Sequence, residues 1–401
     1  MIRLLLFLLL LAPFTLLADE MLYRLINQRL ALMEQVAAYK WINQQPIAVP
    51  EREAFVISKA VEDGLQYGIT TDSSGAFFRA QIEAAKDIQQ CWFDRWTTGQ
   101  APETAEDLAG IVRPKLILLG SEITSRLAKK TVDGELLNKL FRQELSVGCL
   151  SEGAQRKVFD ALKSVTTYPD RHTQVIESGR LRVGTTGDYA PFSYSGDGLS
   201  FTGVDIDLAR NLAESLDVEL VLVKTSWPTL MNDLAAGLFD IAMSGVSIIP
   251  ARQQHAYFSA PYHVGGKSPI TSCSRVHEFS SLEAIDQPGV RAIVNPGGTN
   301  ERFIDANLTR TKKILHQDNR TIFDEIIKGN ADLMITDSIE VRLQTKLHPE
   351  LCASMPGETL TYQEKGYMMP KDTALRLEVN QWLEALSSQN ILERTFEQHL
   401  N

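Results

Sequence analysis

Residues 180–194 read RLRVGTTGDYAPFSY, a short apolar strand that runs into a Gly-Asp turn and a proline. Downstream of it, strands and helices alternate. Strands predicted at 181–186, 218–224 and 239–244 are separated by helices at 205–216 and 227–236, the pattern of βα units around a parallel core. The alternation resumes after Lys267, with strands near 291–294, 314–316 and 332–336 and helices near 299–307, 319–328 and 338–346. Segments 268–273 and 362–369 read as crossovers between two lobes, and final helices at 374–386 and 391–400 return to the first. Residues 179–401 are therefore expected to form a two-lobed α/β clamshell. Lobe 1 takes about 179–267 and 370–401, lobe 2 about 268–369, and a ligand cleft lies between them.

Upstream, TTYPDRHTQVIES within 166–178 loses periodicity and reads as a linker. Before it, residues 19–165 show only helical patterning, so an all-α domain is expected. From Leu22 to Trp41 apolar residues recur at helical spacing with no Gly or Pro, predicting one long helix. The same stripe passes through Arg29 and Lys40. Two cations thus face the apolar side, about 16 Å apart along the axis, within reach of a small anion held between them. A second helix, 51–67, opens after Pro50 and carries Arg52 and Lys59. A third, 72–96, has Phe78, Ile82, Ala85, Ile88, Trp92 and Trp96 on one stripe with Gln81 and Gln89 at its edge. Further helical patterns cover 105–145 and 151–165. The alternative for Arg29, Lys40 and Arg52 is snorkelling, or pairing with Glu34 and Glu83. Several polar groups on one apolar interior favour an anionic ligand, because unpaired buried cations are costly.

The chain has 401 residues, 44% of them hydrophobic, and a formal net charge of −10. Its short Lys/Arg pairs cannot track a phosphate backbone, which excludes nucleic acid as a partner. Residues 4–17 carry no charge and end at Ala18, describing a secretory signal that places the folded part in the periplasm, with a retained anchor as the alternative. The four cysteines Cys91, Cys149, Cys273 and Cys352 form no CxxC and have no His at metal-ligand spacing, so no metal is expected. With a boundary near residue 170 each domain holds two. Cys91–Cys149 with Cys273–Cys352 is the simplest of three connectivities, and buried free thiols are the alternative.

Arg29, then Lys40-Trp41, then Arg52, then Phe78-x-x-Gln81-Ile82 and Ile88-Gln89 resemble the exported, all-helical class of chorismate mutase over about residues 20–165. The resemblance implies that Arg29, Arg52 and Arg113 contact the substrate carboxylates while Lys40 and Gln89 address the ether oxygen. No acid, base or cofactor is required, since the reaction is a unimolecular rearrangement that needs a held conformer and stabilised charge on oxygen. Where that class often carries a hydroxyl, this chain has Ala85. The helical class often forms dimers, so a homodimer is an accompanying expectation.

The second half resembles extracytoplasmic solute-binding proteins of the periplasmic binding protein type, and within them the exported cyclohexadienyl dehydratases. TTGDYAPFSY, TSWPTLM, FDIAMSGVSI, GKSPIT, IVNPGGTNE, DLMITDSIE, LHPELCA and QEKGYMMP stand in order. This resemblance implies Glu364 as general acid, buried in the closed cleft with a raised pKa. It further implies Trp227, Ser244, Ser247, Arg252, Lys267, Asn295, Thr299 and Asn300 as substrate-binding residues, with Asp337 in either role. Together the resemblances imply a bifunctional enzyme acting on chorismate, prephenate and arogenate. The alternative is an amino-acid-binding protein fused to a helical docking module; residue by residue, the alternatives are a surface cation for Arg252, an ordinary turn for Pro-Gly-Gly and a surface Glu-Lys pair for Glu364.

Overall fold

The computed structural model describes residues 19–130 and 135–401, so the expected signal at 1–18 lies outside the described residues. Among the described residues no helix is long and apolar enough to cross a membrane. The chain divides into two compact units, up to Pro169 and from Asp170 onward.

In the first unit the expected single helix appears as α1 (19–31) and α2 (Met33–Ile42), interrupted by a turn at Leu32 alone. Leu32 keeps right-handed helical dihedrals, φ −66° and ψ −10°, so the apolar stripe continues across it. Helix α3 (Pro50–Gln66) starts at a proline, whose missing N–H is harmless in a first turn. It lies close to α4 (Thr71–Thr98): a Cβ at Gly64 would stand 2.9 Å from Ser74 Oγ. At 28 residues, α4 is about 42 Å long and packs against α2, α3 and α7 (Glu152–Lys163). The expected helical stretch 105–145 resolves into a π-helical turn at Leu108–Val112, α5 (Arg113–Leu127) and α6 (Glu135–Glu144). Tyr23, Ile26, Leu30, Phe77, Phe78, Ile88, Phe141 and Phe159 fill one core, each contributing about 1.5–3 kcal/mol on burial. No strand occurs among the described residues of this unit, and Ile69–Thr167 is an isolated bridge. A disulfide joins Cys91 of α4 to Cys149.

The second unit opens with α8 (Arg171–Ser178), in the segment 166–178 expected to be irregular. The Asp170 side chain accepts from Thr173 N at 2.7 Å and Gly179 ends the helix with φ 67°, so a cap and a stop signal were both present. The first lobe's sheet runs in the order 219–224, 180–185, 241–242, 368–369, 257–258; the first three strands are parallel, and 368–369 is antiparallel to both of its neighbours. The second lobe's sheet runs 312–315, 291–294, 333–337, 267–272, 351–353. The crossovers are His263–Gly265 and Gln363–Lys365, which pair antiparallel. Of residues 268–273, expected as a crossover, 268–272 instead lie in an interior strand of lobe 2 and Cys273 begins the 3-10 turn after it, while Met368–Met369 belongs to lobe 1. Although mostly polar in sequence, Lys267–Thr271 are buried on both faces, as an interior strand requires. Cys273–Cys352 forms the second disulfide.

Candidate active sites

The helical unit holds a cavity of about 290 Å³ whose wall includes Arg29, Lys40, Arg52, Gln89 and Arg113, all five of its expected site residues. Arg29 projects from α1 and is 7% exposed. Its Nη1 donates to Gln81 Oε1 at 3.2 Å, and its Nε has no protein partner. Burial lowers its pKa to about 10, which leaves it charged at neutral pH. Lys40 Nζ donates to Ile47 O at 2.6 Å, leaving two N–H groups; burial lowers its pKa, with Glu53 opposing and Arg113 assisting. Arg52 is lowered by burial and by Arg113, and its guanidinium lies 4.9 Å from the Phe55 ring centroid. Glu34 and Glu83 pair with none of the three; Glu83 pairs with Lys86 at 2.7 Å.

Gln89, buried on α4, donates from Nε2 to Ala85 O at 2.9 Å. Its second N–H has only Met33 Sδ at 3.9 Å, a weak acceptor that a ligand oxygen can replace. Ala85 also faces the cavity, with the Thr124 hydroxyl elsewhere on the wall, bonded to Gly120 O at 3.0 Å. The Glu53–Lys86 pair, 3.3 Å apart on the same wall, was not singled out from the sequence.

In the second unit, the two lobes close on a cavity of about 20 Å³, room for one water. Trp227, Ser247, Arg252, Asn295, Thr299 and Asn300 line it, together with Tyr189, Asn319, Asp337 and Lys365. Asn319 Nδ2 donates across the lobes to Asp188 O at 2.8 Å. Gly297, with φ 81°, lets lobe 2 approach Pro228 so closely that a Cβ would stand 2.8 Å from Pro228 N. Arg252, 3% exposed, donates to Ser247 O at 3.0 Å, and burial, then Arg302, lower its pKa to about 10. It is no surface cation. Trp227 Nε1 donates to Asp188 Oδ1 at 3.0 Å, and Asn295 Oδ1 is buried without a protein partner. Ser244 lies behind this wall, bonded to Thr186 Oγ1 at 2.8 Å.

Lys267 is fully buried and donates to Thr299 Oγ1 at 2.9 Å, to Asn300 Oδ1 and to Asp337 Oδ1 at 2.6 Å. Asp337 also accepts from Lys365 Nζ and from Tyr189 Oη. Burial opposes its charge, but the two ammonium groups outweigh that and hold its carboxyl far below the usual range.

Glu364 is not part of this cluster. It is half-buried and accepts from the exposed Tyr362 hydroxyl at 3.0 Å, while its neighbour Lys365 is the residue turned inward. Side chains alternate along a strand, so only one of the two can face the cleft. The carboxyl that has the properties expected of Glu364 is Glu340, which the sequence reading passed over. It is 2% exposed, bonded by Thr336 Oγ1, which in turn accepts from Asn300 Nδ2 at 3.0 Å. Burial, with Asp337 adding to it, pushes its pKa up to about 8.

Residues 181–401 match the bacterial extracellular solute-binding proteins, family 3. The chain belongs to that family. Residues 17–90 match chorismate mutase type II. A cyclohexadienyl dehydratase of Pseudomonas aeruginosa is 52% identical over 240 residues, covering 60% of this chain and 90% of the relative. An L-cystine-binding protein of Escherichia coli is 28% identical over 211 residues, covering 52% and 78%. The crystal structure of an ancestral amino acid-binding protein, a precursor of cyclohexadienyl dehydratase, superposes with a TM-score of 0.53 at 32% identity, covering 57% of this chain and 98% of that one. The family assignment fits the two-lobed fold, and the second match falls on α1 to α4, which carry Arg29, Lys40, Arg52 and Gln89.

Proposed function

We propose that the chain is a bifunctional exported enzyme of phenylalanine biosynthesis: the helical unit rearranges chorismate to prephenate, and the clamshell converts prephenate to phenylpyruvate and arogenate to phenylalanine. The observation that carries the reading is the pairing of two anion sites of different chemistry in one chain: one has cations and a neutral amide, and the other has cations on its wall and, joined through Thr336 to the wall residue Asn300, a carboxyl whose pKa burial raises to about 8.

In the first site, Arg29, Arg52 and Arg113 hold the two carboxylates of chorismate and keep its enolpyruvyl arm over the ring. As the ether bond breaks, negative charge grows on its oxygen, where Lys40 and the second N–H of Gln89 stabilise it. No proton is transferred, so none of these groups has to titrate.

In the second site, the ring carboxylate leaves as carbon dioxide, its bonding electrons enter the ring, and the hydroxyl departs as water. One proton is consumed per turnover. Glu340 supplies it, because a carboxyl whose pKa is about 8 keeps its proton at neutral pH, and hydroxide leaves readily only when protonated. Arg252, Lys267 and Lys365 provide the positive field for a dianion, and Trp227 and Asn295 shape the ring's contact. The lobes must part to admit substrate and close around it, excluding water from the reacting ring.

Export through the signal at 1–18 accompanies this reading; it is supported by the solute-binding family and the two disulfides, which belong to an oxidising compartment. The test is to incubate the purified protein with chorismate at neutral pH and follow both prephenate and phenylpyruvate. Absence of either product removes the corresponding activity.

A further inference from the structure

The clamshell contains a selection rule that goes beyond the proposed reaction while resting on it. We infer that Lys267 and Lys365 together make the cleft select a 2-oxo acid side chain over the corresponding 2-amino acid, so prephenate is preferred to arogenate.

An ammonium group entering a buried cleft needs an anionic acceptor, since its desolvation is otherwise uncompensated. Three carboxyl groups are available near this cavity. Asp337 already faces two ammonium groups, Lys267 on one oxygen and Lys365, beside the Tyr189 hydroxyl, on the other, so this cluster is net positive toward a third cation. The Lys267 contact is built into the sheet, because Asp337 and Lys267 are direct partners in the antiparallel register of strands 333–337 and 267–272. It therefore persists when the lobes part. Glu340 is held by Thr336, does not line the cavity, and burial disfavours its charged form. Asp188 accepts from Trp227 and does not line the cavity. The unpartnered Oδ1 atoms of Asn295 and Asn319 are neutral and repay little of an ammonium's desolvation.

The donors tell the complementary story. Lys267 spends its three N–H groups on Thr299, Asn300 and Asp337. Lys365 spends two, on Ser247 Oγ at 2.9 Å and on Asp337, which leaves one N–H for a ligand on the cavity wall. A ketone oxygen accepts that N–H; an ammonium is repelled by it. Lys365 is thus a specificity-determining residue that the motif QEKGY concealed beside the glutamate.

The experiment compares kcat/KM for prephenate and arogenate at pH 7.5, and the binding of phenylpyruvate and L-phenylalanine by calorimetry. The wild-type protein should favour the oxo acid at least tenfold in both. Lys365→Gln, which removes one of the two ammonium groups facing Asp337 and leaves Tyr189 on the same oxygen, should reduce the prephenate-to-arogenate ratio at least tenfold, whereas Lys365→Arg should retain the preference. Equal handling of the two substrates by the wild type, or an unchanged ratio in Lys365→Gln, overturns the inference. If Lys365→Gln does not fold, the wild-type comparison decides alone. Absence of turnover with both substrates refutes the dehydratase reading separately; the binding preference then still upholds or overturns the selection rule.

Discussion

Replacing Glu340 by glutamine keeps the size of the side chain and an oxygen for the Thr336 hydroxyl, but removes the proton that departing hydroxide needs. With a pKa of about 8, Glu340 is about three-quarters protonated at pH 7.5 and about one-tenth protonated at pH 9. The proposed dehydration should therefore slow as pH rises through 8, falling about eightfold between those two values. Glu340→Gln should lower kcat with prephenate by about 10²–10⁴-fold, the usual worth of a positioned general acid, and leave chorismate consumption intact. The assay follows phenylpyruvate in neutral or alkaline quench, since prephenate aromatises in acid without enzyme. Glu364→Gln is the companion variant and should retain activity. A Glu340→Gln protein that turns over prephenate at the wild-type rate refutes the assignment, and loss of activity in Glu364→Gln instead would return the role to the outward-facing carboxylate.

Arg29→Ala should reduce mutase kcat/KM at least 100-fold and spare turnover of supplied prephenate, read by separate assays on each substrate. Gln89→Ala should lower mutase kcat by about 10²–10³-fold, comparable to removing one oxyanion donor, while the wild-type rate stays flat from pH 6 to 9 because the amide does not titrate. Asp205 is fully enclosed, accepts from Gly245 N, Tyr262 and Tyr367, and is pushed up to about 7 by burial. A raised carboxyl pKa means that the folded state binds more protons, so its stabilising contribution is complete below about pH 4 and is lost as pH rises through 7. Thermal melts of Asp205→Asn should lose less stability between pH 4 and 7 than the wild type, with Glu340 contributing in the same direction as Asp205. Removing the Cys91–Cys149 bridge by paired alanines should cost the helical unit about 2–4 kcal/mol in denaturant titrations, without altering prephenate turnover.

The alternating fold was legible because its buried strands are compact apolar runs with turn signals at both ends. The strand at 291–294 and the helices at 299–307 and 391–400 match their expected bounds. The inward cations of α1 and α2 were legible for a similar reason, since Arg29 and Lys40 interrupt an otherwise apolar stripe. What stayed hidden depends on parity or enclosure. Gln363–Lys365 has three residues, too few for its alternation to reveal which side faces the cleft, and the glutamate was read inward when the lysine is. Glu340 stands in the first turn of helix Ser338–Leu347, where an acidic residue ordinarily complements the helix dipole at the surface. Only the packing of Thr336, Asn300 and Lys267 around that turn makes it a buried acid. The Asp170 cap and Gly179 stop of α8 were visible in the sequence, but eight residues give too short an apolar stripe to be read as a helix beside the Tyr-Pro-Asp run.

Each disulfide begins and ends within its own unit: Cys91–Cys149 before Pro169, Cys273–Cys352 after it. A single nick at the exposed Pro169-Asp170 junction would therefore yield two bands on a denaturing gel even without reductant. Each fragment would carry its cross-link intact.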